Sequence, residues 1–108
     1  MLEDQEFQSR AEASLTALYE QLGRASDEFD FDVEMNSGAL TVEFEEPRER
    51  FVVSPNAPVR QIWVSAHVHS FKLDWDEPRA AFVLPATGQS LDELIAGAIR
   101  ERLPDFQL

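Results

Sequence analysis

FDFDVEMNSGALTVEF, residues 29–44, decides the fold. Phe29, Phe31, Val33 and Met35 alternate with Asp30, Asp32 and Glu34. Period-two alternation predicts a strand with its apolar side chains on one side and all three carboxylates on the other. Asn36-Ser37-Gly38 breaks the pattern with turn residues. Leu40, Val42 and Phe44 then alternate with Thr41 and Glu43, so the stretch predicts a β-hairpin whose first strand carries a row of negative charge. No basic residue interrupts that row.

Working outward, residues 3–24 predict a helix. Phe7, Ala11, Leu15, Leu18 and Leu22 recur at helical spacing and make one apolar stripe, with Gly23 as its C-terminal stop. Downstream of the hairpin, Glu45–Glu49 predicts a charged turn and Phe51–Val53 a third strand. Ser54–Pro58 predicts a loop, because two prolines disfavour a central strand. Gln61–Ala66 predicts a fourth strand, with Ile62, Val64 and Ala66 on the core side and Gln61, Trp63 and Ser65 on the other. Ser70–Trp75 and Ala81–Leu84 complete six strands, the last ended by Pro85 and Gly88. Ser90 and Glu93 have capping-box spacing and open a final helix with Leu91, Leu94, Ile95, Ala98 and Ile99 on its core face. Short links favour an antiparallel meander. The expectation is an α+β fold: an antiparallel sheet of about six strands with N- and C-terminal helices packed on one face. The open face then carries Asp30, Asp32, Glu34, Gln61 and Trp63.

The 108 residues suffice for a single domain spanning 1–108. A 44% hydrophobic content provides for a core and argues against disorder. The net charge of −12 disfavours nucleic acid, whose phosphates need Lys and Arg, and suits a cation or a basic protein surface. Residues 1–34 hold ten acidic side chains against only Arg10 and Arg24, which concentrates the charge at the N-terminal end. The absence of cysteine removes thiolate metal sites, disulfides and cysteine nucleophiles. No apolar run reaches membrane-spanning length, and the acidic N-terminus does not resemble a signal or transit peptide. A cytoplasmic chain, or a mature one lacking its leader, is expected.

Catalytic readings have little support: there is no nucleophile-elbow motif, no phosphate-binding glycine loop and no sign of a pocket around the carboxylates. Clustered carboxylates suit hard cations such as iron, manganese, magnesium or calcium. Alternate residues on a strand lie about 6.5–7 Å apart. First-row ions need ligands at about 2 Å, so weak, partly hydrated sites are expected rather than a closed cage. His67 and His69 form an HxH pair that can ligate a metal or simply lie at the surface. Trp63 among polar neighbours suggests a binding hot spot, or an indole covered by Arg60 or Lys72.

DFDVEMNSGALTVEF (30–44), Pro58-Val59-Arg60-Gln61-Ile62-Trp63-Val64-Ser65, Asp74-Trp75 and Gly88-Gln89-Ser90-Leu91-Asp92-Glu93-Leu94 together resemble the frataxin family, bacterial branch, along nearly the whole chain. The resemblance implies iron, as Fe²⁺ or Fe³⁺, held weakly at an acidic ridge. By position the ridge uses Glu20, Asp27, Glu28, Asp30, Asp32 and Glu34. It also implies a partner surface at Trp63 and Gln61, with Asn56 and Lys72 in matching positions. The implied partners are a cysteine desulfurase and the scaffold of iron–sulfur cluster assembly, met by a monomer in the bacterial cytoplasm. The implied role is iron donor or regulator; a metal-independent acidic adaptor is the alternative, and ferroxidase activity a third. Tyr19, Gly23, Arg24 and Ser26 stand where bacterial members often carry acids, which shifts weight to Asp27–Glu34.

Overall fold

The computed structural model describes residues 3–45 and 48–107. Its elements follow as α1 (Asp4–Ala25), β1 (Asp32–Asn36), β2 (Ala39–Glu45), β3 (Arg48–Asn56), a 3-10 turn (Ala57–Val59), β4 (Gln61–Ala66), β5 (His69–Asp76), β6 (Ala81–Val83) and α2 (Leu91–Arg100). The six strands form one antiparallel sheet in sequence order. Each link is too short for a crossover, so a meander is the geometry open to it.

The expected hairpin forms around Ser37 and Gly38, whose φ angles of 53° and 82° are both left-handed. This is the two-residue turn whose twist matches that of paired strands. Val33 faces Val42 and Met35 faces Leu40, while Asp32 faces Glu43 and Glu34 faces Thr41. The register therefore keeps apolar and acidic sets on opposite sides.

The helix stripe is buried as expected: Phe7, Ala11, Leu15, Leu18 and Leu22 pack with Leu91, Leu94, Ile95, Ala98 and Ile99 of α2 over one sheet face. That face supplies Leu40, Val42, Phe44, Phe51, Val53, Ile62, Val64 and Leu73. Each such side chain contributes about 1.5–3 kcal/mol by leaving water. At the start of α2 the capping box closes: the Ser90 backbone N–H donates to Glu93 at 2.9 Å and the Glu93 N–H donates to the Ser90 hydroxyl at 3.3 Å. The hydrogen bond from the Ser90 backbone holds the Glu93 carboxyl below its ordinary value.

Five expectations are corrected. The first helix passes Gly23 and ends at Ala25, and the Ser26 hydroxyl donates to the Gly23 carbonyl at 2.8 Å. A helical glycine costs about 1 kcal/mol, and burial of Leu22 with packing of Ala25 on the core outweighs it. The first strand starts at Asp32 rather than Phe29, so Asp30 lies in the bend before it. Phe29 and Phe31 instead turn about Phe106, at ring distances of 5.2 and 5.8 Å. The third strand runs through Pro55 to Asn56. Its pairing with β2 ends at Val53, so among the described residues Ser54–Asn56 pair with β4 alone and a proline is tolerated there as on an edge. The sixth strand ends at Val83, before a turn closed by Gly88 N–H to Leu84 O at 2.8 Å. Of the expected charged turn, Glu46 and Pro47 lie outside the described residues, and Arg48 and Glu49 begin β3. Among the described residues no helix is long and apolar enough to cross a membrane.

Asp92 lies in the first turn of α2, beside a hollow shared with Arg10 and Trp75. Desolvation, and secondly the Glu93 charge, raise its carboxyl from the ordinary 3.8. A raised folded-state value means the native chain holds this proton more tightly than the unfolded chain. The site is therefore most favourable when protonated and loses stability as pH rises through the folded-state value. Asp92→Asn is expected to raise the melting temperature at pH 7, with the gain vanishing at pH 3. Melts at the two pH values check this; an equal gain at both would contradict the assigned cause.

Candidate functional site: an acidic edge and an aromatic platform

The face turned away from the helices is ordered in cross-strand rows. Asp32 faces Glu43, which faces Arg50; Glu34 faces Thr41, which faces Val52. Ser54 faces Trp63, which faces Lys72, and Asn56 faces Gln61, which faces Asp74. Trp63 is 38% exposed. Its indole N–H donates to Gln61 Oε1 at 2.9 Å, and the Gln61 amide donates to Asp74 at 3.0 Å. Lys72 Nζ lies 4.9 Å from the centre of the ring. The indole is thus both partly exposed and braced, with Lys72 as its stacking partner; Arg60 turns instead to an ion pair with Asp4. A platform held on both sides loses little side-chain freedom when a partner covers it. Beside it, Val52, Ser54, Ser65 and Ser70 line a shallow hollow of about 410 Å³.

The six expected ridge acids are all exposed: Glu20 on α1, Asp27 and Glu28 in the turn after it, Asp30 in the bend, and Asp32 and Glu34 on β1. Among the described residues none of the six forms an ion pair or a side-chain hydrogen bond. Among the described residues, then, no ion pair offsets their charge, and its reach is set by screening. Among the described residues no three His, Cys, Asp or Glu side chains are grouped to hold one metal ion. A strand spacing of about 6.5–7 Å separates neighbours on one face too widely for that. What the row supplies is a negative potential along one sheet edge. Trp63 stands three strands from it, at about 4.8 Å per step.

Several members of this surface escape the sequence reasoning. Glu43 stands opposite Asp32 and is paired with Arg50 at 3.1 Å, so the face does carry a base. The alternation of Arg48, Arg50 and Val52 against Glu49, Phe51 and Val53 was the available signal. His67 and His69 do not converge. His67 sits at a φ of 57° with Nδ1 2.8 Å from Glu49 and Nε2 3.1 Å from the Ala98 carbonyl. Glu49 also receives Arg102 at 2.9 Å. His67 thus ties the β4–β5 turn to the end of α2, while His69 is exposed.

A six-stranded meander with both helices on one face, and an acidic edge and a braced tryptophan on the other, defines an open-faced α+β sandwich. A family model described as Frataxin-like domain matches residues 1–105, and the chain belongs to the frataxin family. It is 34% identical over 76 residues to the Iron-sulfur cluster assembly protein CyaY of Azotobacter vinelandii, covering 70% of this chain and 68% of that one. It is 32% identical over 101 residues to the protein of the same name from Pseudomonas entomophila, covering 94% and 89%. Among solved structures, the frataxin of Psychromonas ingrahamii superposes with a TM-score of 0.78 over 94% of this chain and 91% of that one. At 22% identity this likeness speaks for the fold.

Proposed function

We propose that this chain acts in iron–sulfur cluster assembly in the bacterial cytoplasm. In this reading it carries iron weakly on Asp27–Glu34 and presents Trp63 to a cysteine desulfurase or its scaffold protein, as iron donor or regulator. The relatives named for iron–sulfur cluster assembly support the process. The observation that carries the reading is the sharing of one open sheet face by unpaired Asp32 and Glu34 and braced Trp63. Hard carboxylate oxygens suit iron as cargo, and open, water-exposed ligands allow its release.

An anaerobic Fe²⁺ titration followed by amide NMR is expected to perturb residues 27–34 first. Perturbation elsewhere with these signals unmoved would sink the iron assignment. The scattering of the acids favours a second reading, a metal-independent adaptor steered by charge. In that reading, Asp30, Asp32 and Glu34 changed together to Lys abolish desulfurase binding even with chelator present. Unchanged binding by that variant rejects it.

A further inference from the structure

We propose that the outer edge of β1 accepts an added strand: an extended, lysine- or arginine-bearing segment of a protein partner pairs with Asp32–Asn36 as a seventh strand. This deepens the docking role above and rests on it. The two edges of the sheet differ. Beyond β6 the chain folds back on itself, with Val83 bridged to Ser90 and the Leu84 N–H donating to Gln89 O at 2.8 Å. Among the described residues β1 pairs with β2 alone. Every second residue of such a strand turns its N–H and C=O outward, a template for another chain. The segment Asp32-Val33-Glu34-Met35-Asn36 contains no proline, and its charges, Asp32 and Glu34, are both negative, so they guard it against another acidic strand but not against a basic one.

Charge selects the occupant. Two copies of this chain meeting edge to edge would bring Asp32 and Glu34 against the same residues of the other copy, and like charges on facing strands repel. A strand with cationic side chains on the open face meets unpaired Asp32 and Glu34 instead. Its alternate side chains fall on the helix side, beside half-buried Val33 and Met35. Met35 also borders a hollow of about 440 Å³ that runs inward between α1 and the hairpin turn at Gly38, toward Pro55 and Ala57. The surface thus asks for alternating basic and apolar residues, the pattern by which strand addition gains specificity.

The probe is a nine-residue peptide alternating lysine and valine, with two derivatives N-methylated at the lysine amides or at the valine amides. All three keep the same charge. Binding to the intact chain is measured by calorimetry at low salt, and amide hydrogen exchange is followed in β1. The parent peptide is expected to bind and to slow exchange among residues 32–36, and one methylated derivative is expected to bind at least tenfold more weakly than the other. Equal binding by all three, with β1 exchange unchanged, overturns strand addition while leaving electrostatic docking intact. No binding by any of them overturns both. Slow exchange in β1 together with a dimer in the absence of peptide assigns the edge to a second copy and overturns the proposal.

Discussion

Phe106→Ala is expected to destabilise the chain by about 3–5 kcal/mol, the usual cost of deleting a buried aromatic ring. Phe106 is 0% exposed although it lies beyond the last helix. Its ring meets Phe29 at 5.2 Å and Phe31 at 5.8 Å in edge-to-face geometry. Each such pair adds about 0.5–1.5 kcal/mol beyond the area it buries. The tail is held from a second side, since the Phe106 carbonyl accepts from Arg100 Nε at 3.0 Å. Total stabilities of small domains are about 5–15 kcal/mol, so this one ring supports a large share. Urea unfolding is expected to show a midpoint lowered by more than about 1 M. A second consequence is local: the bend that carries Asp30 into β1 loses its anchor, so amide exchange over residues 29–34 should speed up. A loss below about 1 kcal/mol would mean that the tail is not docked in solution.

On the docking role proposed above, Trp63→Ala is expected to weaken binding to the desulfurase or scaffold by about 2–4 kcal/mol, the range of a hot-spot aromatic. That is a drop of about 30- to 1000-fold. Folding stability should change little, because the Trp63 side chain is partly exposed and the core side of β4 is supplied by Ile62, Val64 and Ala66. The brace supplies the internal control. Lys72→Ala removes the cation from the ring but leaves the indole N–H on Gln61, so its effect on affinity should be smaller than that of Trp63→Ala. Calorimetry with the purified partners checks both variants. A change below about twofold for Trp63→Ala, in a chain that melts normally, would move the docking surface away from β4.

Most element types and faces were legible because they rest on local periods. The α1 stripe, the β1–β2 alternation, the Gln61–Ala66 strand and the Ser90–Glu93 box each lie within one turn or one pleat of their own neighbours. The limits of elements were less legible. Gly23 and Pro55 carry local signals for stopping that packing and the lack of a strand neighbour override. The exposure of the six acids also followed from the pattern, whereas the displacement of Asp30 from the strand needed Phe106 to be seen beneath Phe29 and Phe31.

By itself, then, the sequence determined an antiparallel meander, two helices for one face, and a negatively charged first strand with no thiol chemistry available to it. Those properties depend on backbone period, link length and charge count, which any window of the chain displays. Only the tertiary structure decided that Asp32 looks at Glu43 and Glu43 at Arg50, that His67 is drawn into Glu49 and the end of α2, and that β6 is capped while β1 is open among the described residues. These depend on register and on contacts between residues far apart in the chain. Such contacts are set by the packing of the whole core rather than by any residue's near neighbours.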